Sequence, residues 1–310
     1  MILALAGGVG GAKLAQGLAM VLPSEKLTVV VNTGDDFEHL GLSISPDLDT
    51  VLYTLAGLND TARGWGLAGE TWAFMDAMER LGGETWFRLG DKDLATHVER
   101  TRRLKTESLS TVIDDFRKRL GIGCRIAPMS DDPVRTVVQT QQGRLPFQDY
   151  FVRLQCAPEV RGFEFSGIAS AKPSAGFIAA LDAPDLEAVI ICPSNPFVSV
   201  SPILGLPGVK ERLAKRKVPI VAVSPIIGGE AVKGPAAKMF KELGLAVTQE
   251  SVAGFYGDLL DGFVIDERDA NSAARITGPR VKVAQTLMRD TEAKAALARQ
   301  VLDFSGTLRS

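Results

Sequence analysis

Three kinds of residue in this chain could handle a phosphorylated ligand: closely spaced glycines, loop carboxylates, and a few cations and hydroxyls at loop ends. The segment Gly7-Gly8-Val9-Gly10-Gly11-Ala12-Lys13 puts four glycines in five residues. Glycine lets backbone N–H groups approach a phosphate, and a helix N-terminus favours an anion. Lys13 would add a cation in the first helical turn. The run is not a Walker A loop, because Leu14 stands where Ser or Thr should follow the lysine. It is a poor G-x-G-x-x-G, because Lys13 takes the place of the third glycine. A tight strand-to-helix turn without a ligand is the competing explanation.

The carboxylates sit in four loops. Asn32-Thr33-Gly34-Asp35-Asp36 ends an apolar run, where open α/β sheets bind ligands. In Ser45-Pro46-Asp47-Leu48-Asp49-Thr50, Asp47 and Asp49 would diverge on a helix but could both face one metal from a loop or first turn. Mg²⁺ often takes only one or two carboxylates plus phosphate oxygens. Helix capping by Ser45 or Asp47 accounts for the same residues. Arg88-Leu89-Gly90-Asp91-Lys92-Asp93 and Met129-Ser130-Asp131-Asp132-Pro133 each read alone as a turn or cap. Ser194 and Asn195, in Pro193-Ser194-Asn195-Pro196, could bond a base, ribose or phosphate, or simply make a turn. Lys233-Gly234-Pro235 offers a possible anion contact or a helix start. His39 lies near the acidic loops, and His97 falls in a helical pattern and reads as structural. Neither has metal-ligand spacing, and no G-x-S-x-G elbow or Cys–His signature supports covalent acyl chemistry.

The elements that must position these residues follow from periodicity. Ile2–Ala6 is a strand, the glycines turn, a helix runs from Ala12 to about Val21, and Leu27–Val31 is a second strand. That βαβ unit predicts a parallel sheet. The rhythm returns later: strands at Ala188–Cys192 and Pro219–Val223, helices around Gly208–Arg216 and Gly234–Leu243, strands at Leu245–Thr248 and Phe263–Asp266, and an amphipathic helix over Thr291–Phe304. Between them lie helices at Glu70–Leu81 and Leu94–Leu104, and a hairpin of Arg135–Thr140 and Pro146–Leu154 about the turn Gln141–Arg144. The expectation is an α/β protein with a Rossmann-like, mostly parallel sheet over 1–60 and 166–310 and a smaller α+β lobe inserted over 61–165.

Bulk properties narrow the class. With 310 residues the chain can bury one large core, and a net charge of −2 gives no global attraction to nucleic acid or anionic membrane. Cys124, Cys156 and Cys192 are scattered, which fits reduced thiols rather than disulfides or a zinc site. The short apolar start without a basic segment reads as a strand, not a signal peptide. A cytoplasmic enzyme is the expectation.

Taken in order, MILALAGGVGGAKL, VVVNTGDD, SPDLDTVLY, LGDKDLATH, PMSDDPVRT, PSNPFVSVSPIL, AVSPIIGG and DERD span nearly the whole chain. This pattern resembles the 2-phospho-L-lactate transferase family of deazaflavin coenzyme F-420 biosynthesis. The resemblance implies a Rossmann-like core with an inserted lobe, a homodimer and a Mg²⁺ requirement. The donor it implies is lactyl-2-diphospho-5′-guanosine, and the acceptor is 7,8-didemethyl-8-hydroxy-5-deazariboflavin, Fo. The acceptor's ribityl hydroxyl would attack the phosphorus, releasing GMP. Carried over by motif, Asp49 and Arg88 contact the deazaflavin, and Gly8, Gly10, Lys13, Ser194 and Asn195 lie on the nucleotide side. Asp47 and Asp49 are the candidate catalytic carboxylates and metal ligands. Family members use phospholactyl, phosphoenolpyruvyl or 3-phosphoglyceryl donors, and the residues do not choose among them. Two alternatives stay open: a non-catalytic regulatory relative that binds sugar nucleotides, and a dinucleotide-dependent oxidoreductase, against which the missing third glycine counts.

Overall fold

A computed structural model describes residues 1–215, 217–231 and 234–309. Its core is a seven-stranded, all-parallel sheet. The strands are β1 (Ile2–Ala6), β2 (Leu27–Val31), β3 (Arg125–Pro128), β4 (Ala188–Ile191), β5 (Ile220–Val223), β6 (Gly262–Asp266) and β7 (Arg280–Ala284). Their spatial order is β7-β6-β5-β4-β1-β2-β3. Five of these runs are wholly buried and, Thr28 and Asp266 apart, carry no polar side chain, as expected of strands covered on both faces.

Alternation along each strand divides the core in two. Ile2, Ala4 and Ala6 pack with Leu14 and Leu18 of α1 (Gly8–Val21), Leu48 and Leu52 of α2 (Pro46–Leu55), and Leu297 and Val301 of the C-terminal helix. Leu3 and Leu5 face the opposite way, toward a layer of short helices that includes Phe177, Ile203, Leu213, Phe240 and Val252. A sheet with helices on both faces is the expected α/β class. No helix among the described residues is long and apolar enough to cross a membrane.

The middle of the chain supplies a second body of structure. A short hairpin, Phe37–His39 with Leu42–Ile44, leads out of the β2 loop. Then come α3 (Ala73–Arg80), α4 (Asp93–Arg103) and α5 (Leu109–Arg119), and beyond β3 a three-stranded antiparallel sheet.

Several expected elements are corrected. The helix expected from Ala12 begins at Gly8, so most of the glycine run lies inside its first turn. Residues 125–128, within the stretch assigned to the lobe, pair with β2 as an edge strand of the main sheet. The hairpin partner of Arg135–Thr140 is Gly143–Pro146, and Val160–Ser166 pairs on its other side. Residues 149–153, expected extended, are helical. No strand forms over 245–248, because Thr248 caps the helix Gln249–Tyr256 by accepting a hydrogen bond from the Ser251 amide. The end of the expected 208–216 helix at Arg216, and Lys233, lie outside the described residues.

Candidate active site

Strand order reverses at β1, which lies between β2 and β4. In open α/β sheets the crevice outside the carboxyl ends of the strands at such a point is where ligands bind. Gly7 follows β1, Asn32 follows β2, and Ser194 follows β4 by a few residues. Ser194 Oγ accepts from the Gly7 amide at 3.0 Å and donates to the Gly7 carbonyl at 2.8 Å, tying the two loops together. Gly10 lets α1 approach this loop: a Cβ there would stand 2.2 Å from the Pro193 carbonyl oxygen. Asn195 accepts from the Phe197 amide at 3.0 Å and so caps the turn that follows.

Asp47 points into this junction. Its Oδ1 accepts from the Gly8 amide at 2.7 Å, and its Oδ2 accepts from Asn32 Nδ2 at 2.9 Å. The positive φ of Gly8, 64°, turns that amide toward the carboxylate. The α1 N-terminus is thus already partnered by a side-chain anion. Asp47 is buried, and burial raises its pKa to about 6 against the two donated hydrogen bonds.

Two more buried carboxyl groups lie nearby, Asp35 beside Asp47 and Asp36 on the side of Asp49 and Arg100. Asp35 is driven well above the usual carboxylate range by burial and by the charge of Asp47. Asp36, bonded at 2.8 Å by the Ser45 hydroxyl, is raised to about 7 by burial. Each leaves a buried Oδ1 without a hydrogen-bond partner.

Asp49, two residues further along α2 and so about half a turn round, takes another direction. Arg100 Nη2 contacts its Oδ1, and Arg100 Nη1 donates to its Oδ2 at 3.1 Å. Burial raises Asp49 while the Arg100 and His97 charges pull it down, and the net is upward. His97, flanked by Asp93 at 3.1 Å and Asp49 at 3.7 Å, belongs to this cluster.

The structure therefore brings Gly8, Asp47 and Ser194 together at one junction, with Gly10 and Asn195 beside it. It does not bring Arg88 or Lys13 into contact with them. Arg88 is exposed, and its guanidinium stacks 4.5 Å from the Trp72 ring centre. Lys13 Nζ donates to the Met288 carbonyl at 3.1 Å, on the side of the C-terminal helix. His39 packs among Phe37, Trp86 and Phe87. A surface groove of about 1000 Å³ lies elsewhere, between α4 and α5, where Arg103 is ion-paired with both Glu107 and Asp115.

A model of the family described as 2-phospho-L-lactate transferase CofD matches residues 2–303. A phosphoenolpyruvate transferase of Kitasatospora aureofaciens is 42% identical over 318 residues, covering 99% of this chain and 98% of the relative. A 2-phospho-L-lactate transferase of Methanosarcina barkeri is 42% identical over 305 residues, covering 97% of each. The chain belongs to the CofD family. A crystal structure of a UPF0052 family member from Bacillus halodurans shares its fold, with a TM-score of 0.61 at 13% identity over 97% of this chain and 98% of that one.

For this CofD-family chain, sequence reasoning missed Arg100, Asp93 and Tyr53, and left Asn32, Asp35 and Asp36 unassigned. A helical reading of LGDKDLATHVER does place Asp93, His97 and Arg100 on one face. Nothing in the sequence says that this face meets Asp49.

Proposed function

We propose that the protein transfers a phosphorylated three-carbon acid, phospholactyl or a close analogue, from a guanosine-diphosphate-activated donor to the ribityl hydroxyl of Fo, releasing GMP. The observation that carries this reading is the junction of Asp35, Asp36 and Asp47 with the α1 N-terminus at the sheet's switch point, in a chain whose relatives are named as transferases of such groups. The reading places the chain in coenzyme F-420 formation and carries a homodimer with it.

A diphosphate laid against the α1 N-terminus faces the Asp47 carboxylate. Two anions at one helix end call for a cation between them. The unpartnered buried oxygens of Asp35 and Asp36 are the hard donors Mg²⁺ takes. Among the described residues no group of three or more His, Cys, Asp or Glu side chains is arranged to hold a metal ion. One or two carboxylates completed by phosphate oxygens remain the fitting arrangement, with one or two of Asp35, Asp36 and Asp47 as the protein's share. When bound, Mg²⁺ supplies neutralisation of the diphosphate charge.

The remaining chemistry falls to the chain. Ser194 and Asn195 line the nucleotide side, and Arg88 and Asp49 belong to the acceptor side. The ribityl oxygen forms the new P–O bond as the bond from phosphorus to the GMP oxygen breaks. The hydroxyl proton passes to a carboxylate of this junction that the cation does not hold. Positioning and charge neutralisation dominate such transfers.

The two relatives above are equally identical, so identity does not select the donor. The test incubates the protein with Fo, Mg²⁺ and each guanylylated donor in turn (phospholactyl, phosphoenolpyruvyl, 3-phosphoglyceryl) and reads product mass. One donor is expected to give the adduct and GMP. Binding of donor without turnover from any of the three would instead favour a regulatory relative.

A further inference from the structure

Trp72 and Arg88 sit on two loops that hold each other, one leading into α3 and the other into α4. Each loop lends a carboxylate to the helix that the other begins. Glu70 accepts from the Lys92 and Asp93 amides at 2.8 and 2.9 Å, at the start of α4. Asp91 accepts from the Ala73 and Phe74 amides, each at 3.0 Å, at the start of α3. These amides are the ones a helix N-terminus leaves without a backbone partner. The Asp91 amide donates to the Thr71 carbonyl at 3.1 Å. Gly90 lets the loops close, since a Cβ there would stand 2.2 Å from Glu70 Cδ. Leu89 is fully buried with Ile44 and Met75 in the small apolar core of this region, and Trp72 packs against it. The backbone on both sides of the Trp72–Arg88 contact is therefore fixed.

Two arginines meet the Trp72 ring, and they differ. The Arg63 guanidinium, 5.1 Å from the ring centre, donates to the Leu67 carbonyl at 2.9 Å and pairs with Asp60 at 3.0 Å, so it is committed to its own loop. Arg88, at 4.5 Å, makes no hydrogen bond or ion pair with any described residue. Stacking on an indole holds a guanidinium through its face and uses none of its five N–H donors. An exposed arginine held in this way offers its whole fork to a ligand, with part of its rotamer freedom already lost. We infer that Trp72 is a positioning residue for the acceptor: it holds the Arg88 guanidinium by cation–π contact so that the fork meets oxygens of the planar deazaflavin ring system. The inference rests on the transferase reading, which puts Arg88 and Asp49 on the acceptor side. The reciprocal capping of α3 and α4 supplies the rigid frame, and the indole supplies the orientation of the fork.

A double-mutant cycle tests this. Fo affinity, read from deazaflavin fluorescence, and GDP affinity are measured for Trp72→Leu, Trp72→Phe, Arg88→Ala and the Trp72→Leu/Arg88→Ala pair. Leucine keeps apolar packing against Leu89 and removes the π face. Trp72→Leu is expected to weaken Fo binding about three- to tenfold, the scale of one cation–π contact, with GDP affinity within about twofold. Trp72→Phe, which keeps a weaker π face, should recover part of the loss. In the Arg88→Ala background Trp72→Leu should cost less than about twofold more, because the indole acts only through the guanidinium. Should Trp72→Leu fail to fold, Trp72→Met takes its place in the cycle. Unchanged Fo affinity in Trp72→Leu, or in Arg88→Ala, overturns the inference. So does a loss of equal size with and without Arg88, which means that the indole touches the acceptor itself or merely holds the lobe together; a matching loss of GDP affinity and melting temperature marks the second case. If the wild-type protein binds no Fo, the transferase reading fails and the acceptor role falls with it. Every other overturning result leaves wild-type Fo binding intact, so the two failures are told apart.

Discussion

At the scale of single residues, the site's main feature is carboxyl groups whose pKa values burial raises. Asp36 has a sign that can be checked. Unfolded, it loses its proton near the ordinary 3.8; folded, near 7. Between those values the native state holds a proton the unfolded state lacks, so stability falls as pH rises from about 4 to about 7 and the penalty is complete above that. Asp47, raised to about 6, acts in the same direction. One such group contributes a slope of at most about 1.4 kcal/mol per pH unit. Urea unfolding at several pH values should show Asp36→Asn flattening the decline seen in wild type. Mg²⁺ at pH 7.5 should raise the wild-type midpoint more than that of the variant, because ionised oxygens are what the cation binds. Parallel declines in the two proteins would show that another group titrates. The sequence flagged Asp47 and Asp49 as a pair. Their divergence was legible on a helical reading, but the partner each turns to was not, because it depends on Gly8 and Asn32 on one side and Arg100 on the other, distant in sequence from the SPDLD motif. Lys13 was legible as a first-turn cation, but the direction of its amine depends on where Met288 packs.

At the scale of elements, the first helix is placed by what its glycines lack. An alanine methyl at Gly10 would meet the Pro193 carbonyl oxygen, a backbone atom that cannot swing aside. Gly10→Ala should therefore push α1 away from the loop after β4, at a cost of about 1–3 kcal/mol, the usual range for overpacking. Because the same shift displaces the Gly8 amide from Asp47, nucleotide binding should weaken together with thermal stability. A variant that melts like wild type and binds nucleotide normally would show that the close approach is unimportant. Elements with uniform apolar runs were readable: β1 and β2 match their expected bounds, and β4, β5 and β6 do so within a residue or two. Edge strands were not. Arg280–Ala284 carries charged and half-buried residues in alternation, and 125–128 is a short run leading into an acidic turn, so neither has the signature of a buried strand. The region 147–154 went wrong for a different reason. Its aromatic and β-branched residues suit a strand, but tertiary packing curls Asp149–Arg153 into a helical turn that buries Tyr150.

At the scale of the whole molecule, the fold class was legible because βαβ rhythm at both ends of a chain leaves few other layouts. The nucleotide reading is tested at this scale too. A ligand that binds only the native state raises stability by mass action, about 2.7 kcal/mol at a hundredfold excess over its dissociation constant. GDP is expected to raise the melting temperature in a concentration-dependent way, and NADH is not. Equal shifts from GDP, ADP and UDP would remove the guanine preference. The strand order has one more consequence, for how the protein comes off the ribosome. β1 is made first yet ends in the middle of the sheet, with β2 on one side and β4 on the other. β2 follows within a short stretch, but β4 emerges about 160 residues later, many seconds at ordinary rates of synthesis. Throughout that interval the apolar first strand has one unpaired edge, and the junction that gathers Gly7, Asp47 and Ser194 cannot form. Chain elongation therefore sets the earliest moment at which that junction can assemble, and the half-made sheet is the species most exposed to aggregation.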